Sequence, residues 1–183
     1  GNTELDPEKT TTFNAGAVFS PWDGGSLSVD YYRIKVDNVI GSGNTTTLIA
    51  ENDPANVLRD ANGKLQAVYN RYQNLSELQT SGIDIEARQR WETATAGSFG
   101  LSTALSHVIE YKRPQVIGGP LVDYAGSNRG STLPDTKATT TADWAYGNWR
   151  TALTWYYTAG YQQRGAAASL VQKDVASYSQ FDL

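Results

Sequence analysis

Four charged residues stand two apart in the stretch SGIDIEARQRW: Asp84, Glu86, Arg88 and Arg90. In a strand, alternate side chains share one face, so this spacing presents two acids followed by two bases as a ladder. Such a ladder suits the guidance of a charged substrate, or it meets counter-charges on neighbouring elements. The positions between the charges carry Ile83, Ile85, Ala87 and, further on, Trp91. The same strand would therefore be greasy on one face and charged on the other.

Other residue types capable of chemistry fall away on inspection. His107 is the only histidine. It shares parity with Leu105 and Ile109, so it reads as a strand residue near an interface, and acid–base chemistry needs a partner within reach of it. A serine triad would require that same histidine beside an organised acid, and no spacing proposes one. The GSG at 41–43 lacks the lysine and hydroxyl residue of a phosphate loop and reads as a flexible loop. In RDANGKL, Asp60, Asn62 and Gly63 make part of a calcium-loop pattern with no glutamate at its twelfth position; Asn-Gly reads better as a tight hairpin turn. The sequence thus points to no catalytic residue, no metal ligand set and no cofactor. NTT and NLS match glycosylation acceptors but carry no argument here.

The elements that must hold the ladder are strands. Period-two alternation recurs in TFNAGAVF (Phe13, Ala15, Ala17, Phe19), LSVDY (Leu27, Val29, Tyr31), SFGLSTALSHVIEY, KATTTADWAY (Ala138, Ala142, Trp144, Tyr146) and WRTALTWYY (Trp149, Leu153, Trp155, Tyr157), with a last run from about Ser177. After Tyr31 the phase slips: Ile34 and Val36 share parity with Tyr32, which a bulge or an exit from the buried zone would produce. The connections alternate in length. Three are short (SPWDGG, ETATAG and Gly147-Asn148) and three are long, near 38–78, 112–135 and 159–176. Trp22, Trp91, Trp144 and Trp149 lie in or beside the short turns; Tyr31, Tyr111, Trp155 and Tyr157 lie near the far ends of the strands. Indole and phenol rings favour the lipid–water boundary, so two aromatic belts are drawn. The eight steps from Trp149 to Tyr157, at ~3.3 Å each and tilted ~45°, cover roughly 20 Å, close to the ~25 Å apolar band of a transmembrane barrel.

Composition agrees with that class. The 183 residues carry a formal net charge of −4, which argues against nucleic acid as a partner. There is no cysteine, hence no disulfide framework and no thiolate metal site. No run of 18 apolar residues makes a spanning helix, but barrel strands alternate and look polar on average. The expected fold is all-β: an antiparallel up-and-down meander of about seven long strands, a segment of a large transmembrane β-barrel.

Four stretches sharpen this. LDPEKTTTFNAGAVFSP, LSVDYYRIKVDNVI, NLSELQTSGIDIEARQRW and TTADWAYGNWRTALTWYYTAGY together resemble the C-terminal barrel strands of TonB-dependent receptors, the acidic-Pro-Glu-Lys opening and the Thr-Ser-Gly-Ile-Asp strand being the most specific pieces. The resemblance runs over most of residues 1–183 and is weakest in the long loops. It implies a Gram-negative outer-membrane protein, in a family whose 22-stranded barrels are closed by an N-terminal plug. It also implies energised uptake of a scarce nutrient (iron chelate, vitamin, sugar or peptide). The partners it implies are that nutrient ligand, the plug of the same parent chain, the TonB energy-transducing complex and outer-membrane lipid. Neither plug nor TonB box lies in these residues, so a partial barrel domain is expected. The ladder Asp84, Glu86, Arg88 and Arg90 is then expected to face the lumen, where it meets the plug and neighbouring strands, or guides substrate and plug release. In the loops, Asp123, Tyr124, Asn128 and Arg129 could touch ligand. Two other classes compete: a soluble β-sandwich binding module, possibly for carbohydrate, and a passive porin or adhesin barrel. Against the sandwich, the strands run about 9–13 residues where globular sheets use 5–6.

Overall fold

The computed structural model describes residues 2–74, 77–114, 118–128, 132–163 and 173–183. In chain order the elements are β1 (Lys9–Phe19), β2 (Gly25–Asp37), β3 (Ile40–Ser42), α1 (Thr45–Glu51), β4 (Val57–Arg59), β5 (Leu65–Val68), β6 (Tyr72–Asn74), β7 (Glu77–Thr93), β8 (Gly97–Pro114), β9 (Leu121–Asp123), β10 (Thr136–Tyr146), β11 (Trp149–Thr158), β12 (Tyr161–Gln163), β13 (Lys173–Val175) and β14 (Tyr178–Asp182). One sheet takes the order β1-β2-β7-β8-β10-β11-β14, with β9 paired to the far end of β8. This is the expected meander of seven strands, six of them long and the last five residues in length. Short and long connections alternate along it as the sequence predicts.

The register fixes the two faces. Directly opposed residues of an antiparallel pair lie on the same side. Across β8, β10 and β11 one side stacks Phe99–Trp144–Thr151, Leu101–Ala142–Leu153, Thr103–Thr140–Trp155 and Leu105–Ala138–Tyr157. The other side stacks Gly100–Asp143–Ala152, Ser102–Thr141–Thr154, Ala104–Thr139–Tyr156 and Ser106–Lys137–Thr158. On the apolar side the Thr103 and Thr140 hydroxyls bond each other at 3.1 Å, so each satisfies the other away from water.

Among the described residues no core lies under that apolar face. The buried apolar residues among those described are Leu48, Val57 and Tyr124, all in the connections. Phe13, Leu27, Val29, Trp91, Phe99, Leu101, Leu153 and Phe181 remain exposed on the sheet. Water would penalise such a surface at ~25 cal/mol per Å² of apolar area, and soluble proteins rarely leave a patch of this extent uncovered. The second sheet that a sandwich needs is not found among the described residues, where every long strand belongs to the one sheet.

Residues 38–78, read from the sequence as a long loop, carry structure of their own. They contribute to one compact unit made of residues 1–11, 34–79 and 112–123; the rest of the chain forms the other. Gly41 and Ser42 of the GSG are not a flexible loop but lie in β3, paired to Gln73 and Tyr72 of β6. Asn44, the first residue of NTT, caps α1: its side chain accepts from Thr46 N at 2.8 Å and Thr47 N at 3.3 Å. Helical periodicity could not reveal α1, because its seven residues bury only Leu48. The Asn-Gly turn holds as expected, joining β4 to β5. Asp60 organises it, accepting from Asn62 N and Lys64 N at 2.9 Å and from Gln66 Nε2 at 3.0 Å. Both carboxylate oxygens therefore serve the turn.

Asn74 is the knot of this unit. Its Nδ2 donates to the carbonyls of Asp6 and Asn38, each at 2.8 Å, and its Oδ1 accepts from Asp6 N at 2.9 Å. Asn38 itself sits at φ +57°. Asn74→Ala is expected to loosen the segment by about 1–2 kcal/mol. Faster amide exchange at Asp6 and through residues 38–74, with exchange in β10 and β11 unchanged, would be the sign of it.

Candidate functional site

Among the described residues, charged side chains converge in the pattern the sequence predicts on the polar face of the sheet. Asp84, Glu86, Arg88 and Arg90 are exposed, while Ile83, Ile85 and Ala87 between them are half-buried. Arg88 Nη2 lies 3.5 Å from Glu86, and Arg90 Nη2 lies 4.0 Å from Asp143. The second pair spans β8, whose residue at that level is Gly100. A Cβ there would collide with the Asp143 carboxylate, so the glycine leaves room for Asp143 to lean towards β7. At the other end of the ladder, Asp84 and Glu86 share a cavity of about 350 Å³ with Ala104, Ser106, Lys137 and Thr139. Near the short turns a cavity of about 520 Å³ includes Ser26, Arg88, Arg90, Gly100, Ser102 and Asp143.

The phase slip in β2 resolves on this face. β2 runs unbroken to Asp37. Tyr32 keeps the parity of Asp30, and its ring lies over Gly82, next to Asp84 in the ladder. Lys35, on the opposite parity, pairs with Glu77 at 2.8 Å and Asp37 at 3.0 Å. From Ile34 onward the strand belongs to the other compact unit, which fits an exit from the zone that imposes the alternation.

Gln89 is a polar residue at an apolar-parity position, and the sequence reading passed over it. It accepts from the Trp22 indole N–H and donates to Asp23 O at 3.3 Å. Trp144 likewise donates its indole N–H to Ala96 O at 2.7 Å and stacks on Tyr146, 16° from parallel at 6.3 Å. Trp22 thus spends its single donor on Gln89 of the neighbouring β7, and Trp144 spends its own on the β7–β8 turn. The signal available in the sequence was the coincidence of a tryptophan in one turn with an amide in the strand beside it.

His107 accounts for itself without catalysis. Its Nδ1 lies 2.8 Å from Thr136 Oγ1, and Thr136 donates to Asp135 Oδ1 at 3.0 Å. Here the hydroxyl stands between the imidazole and the acid. A nucleophilic triad needs the opposite order.

Of the loop candidates, Tyr124 is buried, edge-on to Tyr111 at 6.5 Å and 84°. It is a packing residue and not an exposed ligand contact. Asp123 ends β9, opposite Lys112, and Asn128 N donates to Gln162 O at 3.2 Å. Arg129 lies outside the described residues.

A family model described as TonB dependent receptor-like, β-barrel matches residues 1–183. The chain belongs to this family. Among solved structures, the siderophore receptor PirA from Acinetobacter baumannii matches with a TM-score of 0.64 at 14% identity, over 99% of this chain. That match covers 26% of the PirA chain, so residues 1–183 span a minor part of its length. No curated protein matches. At that identity the likeness is one of fold. A TonB-dependent receptor barrel explains an antiparallel sheet with one bare apolar face and one charged face. A soluble sandwich does not.

Proposed function

We propose that residues 1–183 form part of the barrel wall of a receptor that takes up a scarce nutrient across the outer membrane of a Gram-negative bacterium. Its work is transport and not catalysis. The apolar face meets lipid. The ladder Asp84, Glu86, Arg88 and Arg90 faces the lumen, and the connections near 38–78, 112–135 and 159–176 lie on the extracellular side. Ligand capture by loops and lumen would be followed by energised movement of a plug, through the TonB complex, in the parent receptor.

The observation that carries this reading is the apolar face, edged by aromatic rings, with no core beneath it among the described residues. Arginine near the middle of a bilayer costs ~2–4 kcal/mol, so the face bearing Arg88 and Arg90 has to turn inward. Single spin labels at positions 82–91 of the parent receptor, in native outer membranes, test it. Labels at 83, 85, 87 and 91 are expected to collide with oxygen, which concentrates in lipid. Labels at 84, 86, 88 and 90 should meet a water-soluble nickel chelate or be covered by the plug. Odd positions shielded from both reagents would mean packing against protein and would overturn the reading.

A further inference from the structure

The connection between β2 and β7 builds a cleft of its own, within the compact unit that holds residues 34–79. A cavity of about 430 Å³ is lined by Tyr69, Asn70, Arg71, Tyr72 and Gln73, together with Asn56 and Glu4. A second, of about 320 Å³, shares Leu48, Asn56 and Gln73 with the first and adds Glu51. Each lies within the ~300–1,000 Å³ of small-molecule sites.

The backbone of this wall is tightly held. Tyr69 N donates to Asn56 O at 2.8 Å. Asn70 Nδ2 donates to Gly43 O at 2.8 Å and to Thr45 Oγ1 at 3.2 Å. Tyr72 and Gln73 pair with Ser42 and Gly41 of β3, and Tyr72 O also accepts from Asn2 Nδ2 at 3.0 Å. By contrast, the side chains of Tyr69, Arg71, Tyr72 and Gln73 hold no hydrogen bond among the described residues. Both rings remain accessible, Tyr69 at 46% and Tyr72 at 64%. The Arg71 guanidinium sits over the Tyr69 ring, 5.9 Å from its centroid, which helps to order that ring. Asn70 Oδ1 is buried with no donor among the described residues, and such an acceptor carries a cost until a donor meets it. A fixed scaffold thus presents two rings, a guanidinium and an amide that it does not need for its own support, which is how a binding site is built.

The chemistry of the lining narrows the ligand. One base, Arg71, stands with two acids, Glu4 and Glu51, so a multiply anionic ligand has too few partners. Leu48 is the single aliphatic side chain in either lining, so a greasy ligand gains little. No cluster of three or more metal-binding side chains lies among the described residues, so a bare cation lacks a ligand set. An uncharged ligand rich in hydroxyls meets every feature. Its hydroxyls both donate and accept, matching amide and phenol groups. The C–H face of a sugar ring lies well on an aromatic ring, whose face is negative.

We propose that this cleft binds a short neutral saccharide, stacked on Tyr69 and Tyr72 and hydrogen-bonded by Gln73, Asn56 and Arg71. Sugar is then the class of nutrient taken up. The inference rests on the uptake reading given above.

The test uses the parent receptor, refolded in phosphatidylcholine vesicles and checked for folding by its heat-modifiable mobility. Neutral oligosaccharides of glucose, galactose, mannose and xylose are screened, and the tightest binder is titrated by calorimetry. Tyr69→Ala/Tyr72→Ala is expected to raise its Kd roughly tenfold, because two stacking rings are lost. Tyr69→Phe/Tyr72→Phe keeps the rings and should stay within a few-fold of the unaltered receptor. Tyr146→Ala removes a comparably exposed tyrosine at a short turn and should change nothing. If the double alanine variant does not refold, Tyr72→Ala alone, at the more exposed ring, should raise the Kd several-fold. No saccharide bound, or a Kd that no cleft variant moves, would overturn the proposal. So would a ferric chelate or a short peptide whose binding the alanine variants abolish, because the cleft would then take another class of ligand. Binding seen only when the sugar is carried on added lipopolysaccharide would make the occupant a membrane lipid and would overturn it as well. A spin label at Leu101→Cys tells this failure from that of the wider reading. If the label meets oxygen in lipid and no saccharide binds, the cleft proposal alone fails; if it meets none, the barrel reading has failed.

Discussion

Leu153→Arg is expected to strip the receptor from the outer membrane, while Thr154→Arg, one residue further along β11, leaves it in place. Leu153 is 45% exposed and opposes Ala142 on the apolar face. Thr154 opposes Thr141 on the polar face and bonds it at 3.0 Å through the two hydroxyls. In a soluble sheet the two substitutions would differ modestly, because Leu153 is already accessible and a guanidinium there could reach water. In a bilayer they differ in kind. An arginine partway between the aromatic belts costs about 2–3 kcal/mol, falling towards zero near the interfaces. Thr154→Arg forfeits one hydroxyl pair, about 1 kcal/mol, and places its charge on the polar face, which the proposed reading turns to the lumen, beside Asp182, which opposes Thr154 on β14. Folded receptor in isolated outer membranes, read from its heat-modifiable mobility, separates the cases. Equal losses for both variants would mean that the two faces meet the same medium.

The faces were legible in the sequence because a strand has period two and one side of this sheet must be apolar. Ile83, Ile85 and Ala87 against Asp84, Glu86 and Arg88 is a pattern that a helix cannot use. The strand order followed from connection length, since a short turn permits only an antiparallel neighbour. What stayed hidden lay where no face is imposed. α1 buries only Leu48, and β3 to β6 are three or four residues long. Their pairing is settled by side chains such as Asn74 and Asp60, which hold the backbone at one point and leave no periodic trace. The cavities on the polar face were half-legible. Both charged walls stand in the sequence as alternations, but their distance depends on β8 lying between them, and β8's small residues read singly as ordinary strand polarity. Tyr124 misled for a related reason: an aromatic in a long loop looks available, yet the edge-on contact with Tyr111 buries it.

Gly97→Val is expected to be among the most damaging single changes in the short turns, and Gly147→Asn among the mildest, although both glycines sit at positive φ. Gly97 has φ +81° and Gly147 φ +58°. A branched residue at such a φ costs ~1–3 kcal/mol of backbone strain, whereas asparagine visits that region readily. Space separates them further. A Cβ on Gly97 would strike the Ala145 carbonyl oxygen and come within 3.0 Å of Tyr146 Cβ; one on Gly147 would meet nothing within 4 Å. The Gly97 turn is also anchored to its surroundings. Thr93 Oγ1 donates to Gly97 O at 2.9 Å and accepts from Ala96 N at 3.0 Å, while Ala96 O receives the Trp144 indole. Pushing Gly97 off Ala145 therefore pulls on the turn, the indole and the first pairs of β8 with β10 together. Strain and clash sum to roughly 2–4 kcal/mol for Gly97→Val, against a few tenths for Gly147→Asn. The urea midpoint of the refolded receptor in lipid vesicles reads the difference, with Trp144 fluorescence as a local probe in a variant that keeps only this tryptophan. A large shift at Gly147 and a small one at Gly97 would show that the β7–β8 turn does not lie against Ala145, and the register of β8 on β10 would have to be redrawn.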